Sequence, residues 1–220
     1  AMEKIIKRRA VPNNTQLEGL PDFLSRIYLA RGITSATELD LSLSRLHNNA
    51  QIKGLDQAVT LLVEALLQKQ KILIVGDFDC DGATSTALAM LFLNEVQADC
   101  QFLVPNRFEY GYGLTPEIVD LASHEKPDLI VTVDNGISSI EGVERAKQLG
   151  IKVLITDHHL PGDVLPQADA IVNPNQPGCA FLSKNAAGVG VIFYVLSGLR
   201  AKLRALDYFN QQSLPDINMA

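Results

Sequence analysis

Apolar and polar positions in this chain follow two periods, and the change from one to the other divides it. Leu20, Phe23, Leu24, Ile27 and Tyr28 recur at helical spacing and predict a helix over 20–30, stopped by Gly32. Ser35 is placed to cap a shorter helix running through Leu43, and residues 55–69 are amphipathic at the helical period. From Lys71 onward, short apolar runs rich in β-branched side chains predict strands over 71–75, 100–104, 129–133, 151–156 and 170–172. Between them lie predicted helices over 84–93, over 115–123 (Thr115 as cap, Pro116 in first position) and from Ser139, and a last one opens at Gly188 and runs to Leu206. Ser138-x-x-Glu141 has the spacing of a capping box, and Gly82 reads as a tight turn between the first strand and its helix. Strands alternating with helices across short links predict right-handed crossovers and a mostly parallel sheet with helices on both faces. The expected fold is α/β, with a small helical layer over residues 1–50 and one larger domain over 51–220.

Polar residues interrupt this pattern at particular places. Gly76 closes the first strand and is followed by Asp77, Asp79 and Asp81 at every second position. Asp134-Asn135-Gly136 closes the third strand, and Asp157-His158-His159 the fourth. In an open parallel sheet the carboxyl ends of the strands form the ligand-binding edge. A solvated acidic loop would explain one such cluster, but three in the same structural phase need a common cause. Carboxylates this close repel one another, and a divalent cation is the simplest partner. Oxygen donors mixed with imidazole point to Mn²⁺ or Mg²⁺ rather than to zinc, which favours nitrogen and sulfur.

Composition changes this picture little. At 220 residues and 47% hydrophobic, the chain can bury a sizeable core. It has no apolar run of membrane-spanning length and no basic-then-apolar leader, so a cytoplasmic protein without a membrane partner is expected. Three cysteines, odd in number and not in metal-finger spacing, read as reduced thiols. A net charge of −6 argues weakly against a simple nucleic-acid binder, although bound cations would offset several carboxylates. Lys4, Lys7, Arg8 and Arg9 make either a solvated tail or a phosphate-binding arm. Arg107 is a candidate phosphate contact or a salt-bridged loop residue, and Tyr110 and Tyr112 suit base stacking or core packing equally. Gly188-Val189-Gly190 fits neither a Walker loop nor a dinucleotide fingerprint and is read as close helix–sheet packing.

The motifs GDFDCDG, VTVDNG and TDHH, in this order on strand ends, resemble the first three signatures of the DHH phosphoesterase family. The segments VPNRFEYGYGL, NPNQPGCAF and AAGVGVIFY resemble its bacterial RecJ branch of single-strand-specific exonucleases. The resemblance implies two Mn²⁺ or Mg²⁺ ions, with Asp79 and Asp81 each on one ion, Asp134 bridging them and His158 as a further ligand. It places His159 opposite the scissile phosphate and makes Asp77 and Asp157 catalytic residues that orient ligands; Arg107 and Tyr112, read from their side-chain chemistry, are the candidate substrate contacts. The implied activity is metal-dependent 5′→3′ hydrolysis of single-stranded DNA to 5′ mononucleotides, in DNA repair and recombination. Single-strand-binding protein and a helicase are the implied partners, and a monomer the implied state. Other DHH relatives handle oligoribonucleotides, cyclic dinucleotides or pyrophosphate, and a silent replication scaffold is the non-enzymatic alternative. The family pattern continues into a fourth motif with another aspartate ligand, a DHH-associated domain and an OB fold, none of which follows here. The chain is therefore expected to be an incomplete catalytic domain with weak activity of its own.

Overall fold

The strand-forming runs pair into one five-stranded sheet of order β2-β1-β3-β4-β5. They are β1 (Ile72–Val75), β2 (Cys100–Leu103), β3 (Leu129–Val133), β4 (Lys152–Thr156) and β5 (Ala170–Val172). Every pairing is parallel, with Ile72 opposite Leu129 in β1–β3 and Leu129 opposite Lys152 in β3–β4. This computed structural model describes residues 5–7, 9–10, 16–217 and 219.

Side chains alternate across a strand, so each strand feeds two cores. Ile72, Ile74, Leu129, Val131, Val133 and Leu154 pack with α2 (Leu55–Leu67), α3 (Cys80–Glu95) and α7 (Gly188–Ala205). Leu73, Val75, Ile130, Val153 and Ile155 pack with α5 (Pro116–Ser123) and α6 (Ile140–Gln148). Burial on both faces explains why β1 reads as a continuous apolar run and β3 as one interrupted only by Thr132, whose hydroxyl donates to the Asn135 carbonyl. Two short helices, α4 (Arg107–Tyr110) and α8 (Tyr208–Gln211), complete the larger unit, His47–Ala220. The smaller unit, Ala1–Leu46, contains α1 (Asp22–Leu29). No helix among the described residues is long and apolar enough to cross a membrane.

Three local expectations are corrected. The helix after β1 begins at Cys80, four residues before the predicted start, because the Asp79 carboxylate caps it by accepting from the Gly82 amide at 2.9 Å. Gly82 therefore lies inside the first turn; a Cβ there would sit 2.4 Å from the Asp77 carbonyl oxygen, so close backbone approach is what requires glycine. The helix expected through Leu43 is a 3₁₀ turn, Ala36–Leu39, with Ser35 and Glu38 forming a capping box. It ends where Asp40 turns extended and accepts from the Ser42 amide, a local bond that competes with helix continuation. The Ser138–Glu141 box does not form. The N-cap of α6 is Ser139, and its hydroxyl is occupied by the Leu114 amide at 3.0 Å. Lys4 and Arg8 of the basic arm lie outside the described residues, as does the side chain of Arg107.

Candidate metal centre

The chain runs from β1 out to β2 on one side and returns to β3 on the other, so the β1 and β3 carboxyl ends flank the point where strand order reverses. The acidic turn follows β1, and Asp134 follows β3. Asn135 clips these two ends together, its Nδ2 donating to the Val75 carbonyl at 3.1 Å and the Val133 carbonyl at 2.9 Å. Asp134 adopts the left-handed conformation (φ 62°), and its amide donates to the Thr156 carbonyl. The Asp157 amide does the same to Val172 one strand further on, so three strand ends are stitched at one edge.

Two groups of possible ligands result, Asp77–Asp79–Asp134 and Asp134–His158–His159, each with donor atoms within 4.8 Å of one another. Asp134 belongs to both. It is only 2% exposed, and its Oδ1 lies 3.0 Å from His158 Nε2 without hydrogen-bonding geometry, so that oxygen takes no hydrogen bond. Burial, together with the Asp81 and Asp79 charges, pushes its pKa up to about 7. A buried acceptor among carboxylates with no donor aimed at it is the environment a divalent cation relieves, and the donor set of oxygens and imidazole fits Mn²⁺ or Mg²⁺.

Asp81 is held differently. Its two carboxylate oxygens accept from the Gly188 and Val189 amides at 2.7 and 2.8 Å, at the N-terminus of α7, where the helix dipole favours negative charge. His158 Nε2 lies 3.4 Å from Asp81 Oδ2. Gly188 is wedged against the other carboxylate as well, since a Cβ there would lie 2.7 Å from Asp134 Oδ1.

Asp157 is buried and supports the histidines. Oδ1 accepts from the His158 and His159 amides and pairs with His159 Nδ1 at 2.7 Å, while Oδ2 accepts from the Ile137 amide. Burial opposes its charge, but the His159 ring and the Ile137 and His159 amides outweigh it, so its pKa is lowered. The same bond to Asp157 raises the His159 pKa against partial burial. Tyr112 stands edge-on to His159, with Oη 3.2 Å from its ring nitrogens.

The predicted residues Asp77, Asp79, Asp81, Asp134, Asp157, His158 and His159 thus converge, with Tyr112 beside them. Tyr110 instead packs against the second core. The Lys184 ammonium donates to the Pro174 and Cys179 carbonyls. Asn135 was missed as a structural element, as were Asn173 and Asn175, whose side chains hold the His159 and His158 carbonyls at 3.0 and 2.6 Å. Asn173 and Asn175 follow directly on β5, the same phase that marked the acidic clusters, and that was their available signal. The α7 amides left none, because backbone donors are invisible in a sequence.

Residues 71–217 match the N-terminal domain of the DHH family. Among curated relatives, the single-stranded-DNA-specific exonuclease RecJ of Haemophilus influenzae is 51% identical over 216 residues, covering 98% of this chain and 37% of the relative. The RecJ of Escherichia coli is 49% identical over 217 residues, covering 98% of this chain and 38% of the relative. This chain therefore spans well under half the length of these relatives. A crystal structure of exonuclease RecJ bound to manganese superposes with a TM-score of 0.64 at 34% identity, covering 78% of this chain and 41% of that one. RecJ from Thermus thermophilus in complex with Mn²⁺ gives a TM-score of 0.63 at 28% identity, covering 91% and 29%.

Proposed function

This chain belongs to the DHH family, whose N-terminal domain its residues 71–217 match, and from that premise we propose that its parent protein hydrolyses single-stranded DNA from the 5′ end, releasing mononucleotides, with Mn²⁺ or Mg²⁺ at the strand-end site. The observation that carries this reading is the pair of ligand groups sharing Asp134. One bridging carboxylate between two ions is the arrangement that two-metal phosphoryl chemistry uses. Asp134 would be shared between the two ions. Asp79 would hold one, with Asp77 beside it in the same group. Asp81 and His158, 3.4 Å apart, would hold the other. All of these residues fall in the domain we assign from residue 51 onward.

When bound, the ions supply an activated water and positive charge against the phosphoryl oxygens. The chain's own residues supply position and a proton. Asp157 anchors His159 through Nδ1, and Nε2, with Tyr112 Oη 3.2 Å away, is the nitrogen assigned to substrate. The bond to Asp157 raises the pKa of that imidazole, which favours the protonated form that a group protonating a leaving oxygen requires. Arg107 is assigned to phosphate and Tyr112 to the nucleotide next to the scissile bond. The RecJ relatives are named single-stranded-DNA-specific exonucleases; action in repair and recombination, in the cytoplasm, as a monomer beside single-strand-binding protein and a helicase, is the further part of this proposal.

The test is digestion of 5′-phosphorylated single-stranded and duplex DNA by the whole protein, with Mn²⁺ or chelator. Metal-dependent mononucleotide release from the single strand, abolished by Asp134→Ala, is expected. Equal attack on duplex, preference for oligoribonucleotides, or activity in chelator would each overturn the reading.

A further inference from the structure

The peptide that joins His158 to His159 is held at both ends. Its N–H, on His159, donates to Asp157 Oδ1 at 3.1 Å, and its carbonyl, on His158, accepts from Asn175 Nδ2 at 2.6 Å. The next carbonyl, on His159, accepts from Asn173 Nδ2 at 3.0 Å. A planar peptide gripped on two sides fixes the dihedrals beside it, and with them the direction in which each imidazole leaves the backbone. This matters most for His158. Its Nε2 stands 3.0 Å from Asp134 Oδ1 and 3.4 Å from Asp81 Oδ2, while among the described residues its Nδ1 has no hydrogen-bond partner. A metal-ligating imidazole is usually oriented through its second nitrogen. Here the orientation comes from the backbone.

Asn175 also reaches beyond the histidines. An amide nitrogen carries two hydrogens, and the second is donated to the Lys184 carbonyl at 3.2 Å. Lys184 is tied back to the same loop, its ammonium donating to the Pro174 and Cys179 carbonyls. Just beyond it, the Gly188 and Val189 amides hold the two oxygens of Asp81. One side-chain nitrogen thus joins the backbone of His158 to the segment whose first helical turn grips Asp81. We propose that Asn175 is a positioning residue of the metal centre, which sets where the His158 imidazole stands relative to Asp81. It belongs to neither group of possible ligands, and its role rests on the metal reading above. Asn173 is fully buried and accepts from the Asn175 amide at 2.7 Å through Oδ1, which holds the loop in which Asn175 acts.

The test reads the contact between His158 and the metal. This chain is titrated with Mn²⁺ by calorimetry, and the bound Mn²⁺ is followed by electron spin-echo spectroscopy, in which a coordinated imidazole nitrogen modulates the echo. Asn175→Leu keeps the size and branching of the side chain and removes its donors, and Asn175→Ala removes both. Asn175 is partly exposed in a loop outside both cores, so neither change empties a core. In both variants Mn²⁺ affinity is expected to fall about 10–100-fold, as for other residues that orient metal ligands, with loss of the nitrogen modulation. The metal-free melting temperature should fall by about 4–8 °C, the effect of two hydrogen bonds in a chain of this size. Affinity and modulation unchanged in both variants, whatever the melting temperature, would make Asn175 a brace of its loop alone and overturn the proposal. If the unaltered protein binds no Mn²⁺, or binds it without nitrogen modulation, the metal reading with His158 as a ligand falls and takes the positioning role with it.

Discussion

At the scale of single residues, the carboxylates of this site do three different jobs. Asp134 is buried among like charges and holds its proton up to about pH 7. Replacing it with the isosteric, uncharged Asn removes that repulsion. Asp134→Asn is therefore expected to raise the melting temperature of the metal-free protein at alkaline pH by about 2–4 °C, the shift that roughly 1 kcal/mol gives in a chain of this size. The same variant should lose its response to Mn²⁺, because the shared ligand is gone; a melt that still rises with Mn²⁺ would exclude Asp134 as the bridge. Asp79 both caps α3 and faces the site. Asp79→Ala should cost about 0.5–2 kcal/mol even without metal, by loss of the cap, whereas Asp79→Asn keeps a capping oxygen and should be nearly neutral. Both should weaken Mn²⁺ binding. Equal unfolding midpoints in denaturant for the two metal-free variants would show that the cap contributes nothing.

At the scale of elements, α7 acts through its first turn. Its amides hold Asp81, and its first residue touches Asp134, so the position of the helix sets the distance between these two carboxylates. A methyl group at Gly188 would meet Asp134 Cβ at 2.8 Å, and either the helix or the carboxylate must move. Gly188→Ala should destabilise by about 1–3 kcal/mol, as overpacking does, and weaken Mn²⁺ binding. Gly190, two residues on in the same helix, meets nothing closer than the Ala186 methyl at 3.9 Å. Gly190→Ala should be neutral or stabilising by up to about 1 kcal/mol, the ordinary gain of Ala over Gly in a helix. Chemical denaturation of the pair, with Mn²⁺ titration of each, checks this. Equal effects at the two positions would mean that contact with Asp134 is irrelevant.

For the whole molecule, the site ties stability to pH. Asp134 has a folded pKa raised from the usual carboxylate value to about 7, so between those values the folded state holds a proton that the unfolded chain has lost. Stability from this group therefore falls as pH rises through that window. His159, also raised, loses its contribution as pH rises through its folded pKa. Asp157, lowered, contributes above its unfolded pKa, and that contribution is lost only on acidification through its folded value. Metal-free protein should thus melt higher at about pH 5.5 than at about pH 8, and Mn²⁺ should reverse the order, because ligands must shed protons to bind. Melting curves with chelator and with Mn²⁺ at both values test it. The same order in both would contradict the assigned environment of Asp134.

The sequence by itself determined the layers of this protein and the edge where its chemistry lies. Strand β3 over 129–133 and strand β5 over 170–172 were legible to the residue, because each is a run of mostly apolar, β-branched side chains that stops where polar residues begin. Asp77, Asp134 and Asp157 were legible for the same reason, each standing just past an apolar run. The start of α3 was not, because Asp79 as a cap and Asp79 as a ligand look alike in one dimension. The family resemblance already implied a shared role for Asp134, but what brings it into both possible ligand groups is tertiary: strand order 2-1-3-4-5 and Asn135 clipping β1 to β3. Tertiary structure alone decided that Asp81 is gripped by amides 107 and 108 residues away in the chain. Periodicity reports which face of an element is buried, but backbone donors carry no side-chain identity, and only folding brings them to the carboxylates they hold.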